Sequence, residues 1–214
     1  MSNPKYKIQK TELLSDNWYI LNRVTVDYQK KDGTWDTQKR EVYDRGNGAA
    51  ILLYNIHKRT VVLTRQFRLP TYMNGNPTGM LTEVCAGLLD EDDPVACIIR
   101  ETEEETGYRL SSVRKVFESY MSPGAVTEIL YFFVGEYDVS MKVSSGGGLD
   151  QEHEEIDVIE IPFEQAYLMI ETGEIKDAKT IMLLQYAKIN QLIPNATRLA
   201  DDYNLSSINK RQLI

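Results

Sequence analysis

The sequence predicts an α/β protein in which a mixed sheet packs against a few helices and is preceded by a small antiparallel β domain. Three observations predict it. Runs of aromatic and β-branched residues fill the early chain, a single acidic helix interrupts them, and helical patterning returns only late, from Phe163 onward. A turn cluster, Asp44-Arg45-Gly46-Asn47-Gly48, separates the leading β residues from the rest. The expected division is a β domain over residues 1–45, a main domain over 46–195 and a C-terminal extension over 196–214, the last polar and weakly patterned.

In order, Trp18 to Tyr28 reads as a strand, and Lys30-Lys31-Asp32-Gly33 turns it back into a second over Thr34 to Tyr43. So small a sheet is marginal alone and needs a partner surface. Ala49–Tyr54 and Thr60–Phe67 read as strands, followed by a loop from Pro70 to Gly79 and a short strand over Leu81–Cys85. Asp93 and Pro94 suit the N-cap and first turn of a helix that Gly107 closes in the left-handed conformation. Val113–Tyr120 and Ile129–Tyr137 are strands, and Phe163–Glu171 and Ala178–Leu192 are helices. Ser144-Ser145-Gly146-Gly147-Gly148 reads as the hinge of a lid that carries the acids after it, or alternatively as a surface excursion.

Composition narrows the function classes. The chain has 214 residues, 42% of them hydrophobic and 26% charged, which suits a globular protein. A formal charge of -8 argues against a general nucleic-acid or membrane-surface binder, which would need basic patches. The two cysteines, Cys85 and Cys97, sit in apolar surroundings and read as structural thiols of a reducing compartment. No signal-peptide core or membrane-length apolar run occurs, so a cytoplasmic location is expected.

The chemistry concentrates in Arg100-Glu101-Thr102-Glu103-Glu104-Glu105-Thr106-Gly107. On a helix, Glu101, Glu104 and Glu105 share one face, with roughly 5–6 Å between neighbouring Cβ atoms. Three like charges so close repel unless a hard cation accepts their oxygens. The expectation is an exposed acidic face that binds a divalent metal, with Arg100 holding one carboxylate in place. A merely solvated acidic face is the competing reading. A calcium loop at Asp90-Glu91-Asp92-Asp93 fails, because the required glycine and bidentate glutamate do not fall at the right spacing.

Ala86-Gly87-Leu88-Leu89-Asp90, followed by Arg100-Glu101 and Glu104-Glu105-Thr106-Gly107, resembles the Nudix box, G-x5-E-x7-R-E-u-x-E-E-x-G-u with u apolar. The loop is one residue short, so either Asp92 or Asp93 takes the place of the family's loop glutamate, and Thr102 stands at an apolar position. Further likeness runs through Leu14–Trp18, Lys39–Gly48, Arg65–Arg68, Tyr120–Gly124 and Gly173–Asp177. These segments are similar to the branch of the Nudix family that cleaves GDP-mannose, kin of the ADP-ribose pyrophosphatases.

That resemblance implies an α/β/α Nudix sandwich and a homodimer whose N-terminal β domains are swapped to complete each other's sites. It implies Mg²⁺ as cofactor, with Mn²⁺ as a substitute. The metal would be held by the Ala86 carbonyl, Glu101, Glu105 and Glu154, with Glu104 assisting. Glu152 is the implied general base, and Glu154 and Glu104 the other catalytic acids. Substrate contacts would map to Trp18, Lys39, Arg40, Glu41, Arg68, Gly87, Leu88, Glu128, His153 and Lys179. Of these, Trp18 replaces another aromatic and His153 replaces an acid. The implied reaction splits GDP-mannose into GMP and mannose 1-phosphate. ADP-ribose is the rival substrate, and a nucleotide-sugar sensor without turnover is the rival class.

Overall fold

The computed structural model describes residues 5–89, 93–149, 151 and 154–194. Two sheets form. The first is an antiparallel meander of β1 (Tyr6–Ser15), β2 (Ile20–Gln29) and β3 (Trp35–Asp44). The second has seven strands: β4 (Gly48–Asn55), β5 (Thr60–Phe67), β6 (Met80–Glu83), β7 (Cys85–Leu88), β8 (Arg114–Tyr120), β9 (Ile129–Glu136) and β10 (Asp157–Pro162). Its main path runs β10-β5-β4-β9-β8, with β6 on β5 and β7 on β4; β4 and β9 are parallel, and the other pairs are antiparallel. The helices are α1 (Leu69–Met73), α2 (Pro94–Thr106), α3 (Phe163–Glu171) and α4 (Ala178–Ile189).

The sheet is covered on both faces, which explains its unbroken apolar strands. Along β4, Ala50 and Leu52 join a core with Phe163, Leu183 and Leu184, so that face meets α3 and α4. Ala49, Ile51 and Leu53 point the other way, into a core with Cys97 and Ile98 of α2. The period of two thus assigns alternate residues to two cores.

What positions the site is a fork between β4 and β5. They pair only near their hairpin, through Leu53 to Asn55 and Thr60 to Val62. Beyond it, β5 turns to β6 through Thr64 to Phe67, while β4 turns to β7 through Gly48 to Ile51. The cleft opens there.

Several expectations are corrected. β1 was absent from the sequence reading; it pairs only with β2, is exposed along most of its length, and is broken by two register shifts. The loop from Pro70 contains the short helix α1, which buries no residue. The single strand expected over Leu81–Cys85 is two strands separated at Val84, whose N–H donates to Thr180 Oγ1 at 2.8 Å. α4 stops at Ile189, short of Leu192. The extension 196–214 lies outside the described residues.

Candidate active site

The helix that carries the acids begins and ends as its sequence dictates. Asp93 caps it by accepting from the Val95 N–H at 2.7 Å, and Gly107 closes it at φ 78°. Asp93 is therefore committed to capping, and Asp92 lies outside the described residues. Thr102, at the position the motif keeps apolar, is fully buried and donates its hydroxyl to the Ile98 carbonyl at 2.6 Å, which satisfies it within the helix.

The acidic face is not uniformly exposed, and here the sequence expectation fails. Glu105 is 2% exposed, on the same side as Cys97, Ile98 and Thr102. Its carboxyl accepts from the Ala86 N–H at 3.3 Å. Burial pushes its pKa up to about 8, and the neighbouring charges of Glu101 and Glu154 push the same way. Glu101 lies over β7: a Cβ on Gly87 would fall onto its carboxyl group, so the glycine makes room for the acid. Arg100 Nη1 donates to Glu104 Oε2 at 3.0 Å and ion-pairs with Glu101 Oε1 at 3.0 Å, the tethering role expected of it. Glu103 is turned away and gripped by both nitrogens of Arg109 at 2.8 and 2.7 Å.

Arg100, Glu101 and Glu105 line a cleft of about 1400 Å³ with Ala86, Gly87, Leu88, Glu128, Glu154 and Lys179. Glu154 is held by the Leu149 N–H, which donates to its Oε2 at 3.2 Å. Glu152 and His153 lie outside the described residues. The same cleft is lined by Arg68, whose Nε donates to Glu83 Oε2 at 2.7 Å, and by Lys179, whose Nζ donates to Glu83 Oε1 and, at 2.9 Å, to Asp177 Oδ1. Although burial opposes its charge, Glu83 and Asp177 hold the Lys179 ammonium above its ordinary range. Glu83, 3% exposed at its side chain, is the buried counter-ion that the sequence reading missed; an acid in a strand with Met80, Leu81 and Val84 around it is the available signal.

Trp18, 84% exposed, stands at the rim with its ring edge-on to Tyr19 at 6.2 Å. Arg45 was also missed. It lies over the Tyr19 ring at 5.6 Å, reaches Glu128 Oε1 at 3.7 Å, and its buried Nε has no hydrogen-bond partner among the described residues. Lys39, Arg40 and Glu41 sit exposed on β3 and do not line this chain's cleft; Arg40 bonds instead to Gln38 Oε1 at 2.8 Å.

Among the described residues, no three acids, histidines or cysteines converge as a ready cage for a cation. The donor chemistry nonetheless fits a hard divalent ion, because the carboxylates of Glu101, Glu105 and Glu154 line one cleft together with Ala86. Burial first, and then the charges of Glu101 and Glu154, favour the protonated form of Glu105, and a divalent cation there would favour the carboxylate. Among the described residues, no helix is long and apolar enough to cross a membrane.

Comparison with known proteins agrees with this fold. Residues 5–43 match the model of the GDP-mannose pyrophosphatase NudK N-terminal domain, and residues 44–184 match that of the NUDIX domain. A relative from Escherichia coli O1:K1 / APEC named GDP-mannose pyrophosphatase is 55% identical over 184 residues, 86% of this chain and 95% of its own. One of the same name from Enterobacter sp. (strain 638) is 56% identical over 189 residues, 88% of this chain and 98% of its own. A crystal structure titled as an ADP compounds hydrolase superposes with a TM-score of 0.64 at 17% identity, over 87% of this chain and 96% of that one, and bears on the fold alone.

Proposed function

The chain belongs to the Nudix family, and from that membership and its cleft we propose that it hydrolyses the diphosphate of GDP-mannose to GMP and mannose 1-phosphate. It is a Nudix pyrophosphohydrolase, and such enzymes generally need a divalent metal. The observation that carries the reading is two charged clusters lining one cleft: Glu101, Glu105 and Glu154, and Arg68 with Lys179. A diphosphate bound in that cleft would have both cations and metal-binding oxygens within it.

Mg²⁺, or Mn²⁺ in its place, would be held by the Ala86 carbonyl, Glu101, Glu105 and Glu154, with Glu104 assisting, and would supply charge neutralisation at the diphosphate and a more acidic water. Glu152 or Glu154 accepts the proton of the attacking water. Arg68 and Lys179 share their charge between Glu83 and the diphosphate, so substrate loosens an ion network that the free protein holds closed. Trp18 stacks on the guanine, Gly87 and Leu88 let the strand backbone approach the ligand, and Glu128 accepts sugar hydroxyls. His153 would complete the substrate contacts.

Residues 1–45 form the exchanged β domain, 46–195 the hydrolase domain and 196–214 an extension without a catalytic task. In a homodimer with these β domains swapped, Lys39, Arg40 and Glu41, which do not line this cleft, would act in the partner's, while Trp18 stays at the rim of its own. Free buried thiols and a nucleotide-sugar substrate fit the cytoplasm.

ADP-ribose is the second reading, because the scaffold and metal chemistry would serve it equally and only the base and sugar contacts differ. Steady-state kcat/KM for both nucleotides with Mg²⁺ separates them. A preference for GDP-mannose is expected; a preference for ADP-ribose overturns the substrate assignment, and no turnover of either overturns the function.

A further inference from the structure

Ser144-Ser145-Gly146-Gly147-Gly148 has the composition of a hinge, yet its backbone is bonded to the C-terminal end of α2. The Gly147 N–H donates to the Glu105 carbonyl at 2.9 Å and the Gly148 N–H to the Glu104 carbonyl at 3.2 Å. In return, the Gly107 carbonyl accepts from the Val143 N–H at 2.8 Å. The last carbonyls of a helix have no partner within it, and this segment supplies partners. Side chains are excluded from the contact: a Cβ on Gly146 would stand 2.5 Å from the Glu105 carbonyl oxygen, and one on Gly107 would meet the Ser144 carbonyl. The three glycines adopt φ of 69°, 114° and 82°, which other residues rarely take.

The same few residues hold Glu154. The Ile156 N–H donates to the Gly147 carbonyl at 3.1 Å, and the Glu154 N–H donates to the Leu149 carbonyl at 3.3 Å. The Glu154 carboxylate accepts from the Leu149 N–H at 3.2 Å. A Cβ on Gly148 would stand 2.5 Å from Glu154 Oε2 and 2.6 Å from Glu154 Cβ. One strap therefore grips the backbone of Glu104 and Glu105 on one side and the Glu154 side chain on the other.

We propose that Gly146–Gly148 is a positioning strap that sets Glu154 against the α2 carboxylates before ligand arrives, and that Gly148 is the residue whose missing side chain gives Glu154 its place. The proposal rests on the reading above, in which Glu154 serves the reaction. It makes the segment a fixed part of the site, in contrast to a hinge that swings.

Two measurements test it. In the ligand-free wild type, hydrogen exchange at the Gly147 and Gly148 amides should be as slow as in the last turn of α2; exchange at loop rates overturns the strap. In turnover, Gly148→Ala and Glu154→Gln should each lower kcat about 10- to 100-fold, and the double variant should fall no further than the worse single, as for residues acting as one unit. Losses that multiply, or an unaffected Gly148→Ala, overturn the proposal while wild-type turnover leaves the assigned reaction standing. Gly33→Ala controls for backbone strain, since Gly33 also has positive φ but no neighbour within 4 Å of a Cβ; it should keep kcat.

Discussion

Glu105 sets the chemistry at the scale of single residues. Its native pKa of about 8 stands above the ordinary 4.5, so between those values the folded protein retains a proton that the unfolded chain releases. The stability this group contributes is fully present below about pH 4.5 and is lost as pH rises through about 8. Metal-free protein should therefore melt at lower temperature as pH climbs across that window. Mg²⁺ should bind more tightly at the upper end, releasing a proton. Glu105→Gln keeps an acceptor for the Ala86 N–H and should flatten the pH slope of melting without unfolding the protein, while kcat falls by about 10²–10³-fold, the scale of losing one preorganised charge contact. A melting profile that keeps its slope in the variant would assign the titration elsewhere. Gly87→Ala is the steric counterpart: a methyl group there displaces the Glu101 carboxyl, and activity should drop with little change in melting temperature.

Among elements, the end of α4 nearest the cleft is held by a buried ion network. Asp177 caps the helix through the Thr180 N–H at 2.9 Å and holds Lys179, while Glu83 joins Lys179 to Arg68. Without Glu83, Lys179 keeps Asp177 and the 40%-exposed Arg68 turns to water, so Glu83→Ala should cost about 1–3 kcal/mol, read by urea denaturation. An effect under about 1 kcal/mol would mean that water already shares the site. Much of this scale was legible in the sequence. Helix α2 and strands β4, β5 and β9 carry caps or unbroken apolar runs, so their signals agree at every level. β1 was not legible, because Tyr6, Ile8 and Leu13 stay exposed among lysines and glutamates with no core to enforce alternation. The burial of Glu105 was missed because spacing gives the angle between side chains but not which side of the helix meets the sheet. The stripe of Ile98, Thr102 and Glu105 carried that information. The bonds from the glycine run to the end of α2 were not legible, because composition reports freedom in the unfolded chain and is silent on the helix end that those glycines meet.

The whole molecule has a three-stranded sheet that is exposed across most of β1 and β3, with Tyr6, Ile8, Leu13, Trp18 and Trp35 among its exposed apolar residues. Isolated small sheets need a partner surface. The swapped homodimer proposed above provides one, and it would place Lys39, Arg40 and Glu41, which do not line their own cleft, in the partner's. Mixing Arg40→Ala with Glu105→Gln tests the exchange. If each cleft draws its β domain from the partner, a heterodimer holds one site free of both changes, and activity should rise well above that of either homodimer. No recovery in a verified heterodimer would return the β domain to its own chain.

Everything else stands on these carboxylates directing water at the phosphoanhydride, the oxygen bridge between two phosphorus atoms. The most direct test is product analysis by ion-exchange chromatography after incubation with GDP-mannose and Mg²⁺. Equimolar GMP and mannose 1-phosphate, abolished by chelation and nearly abolished in Glu105→Gln, is the predicted result. GDP and free mannose, or products that form at the same rate without Mg²⁺ and in the variant, would contradict the account.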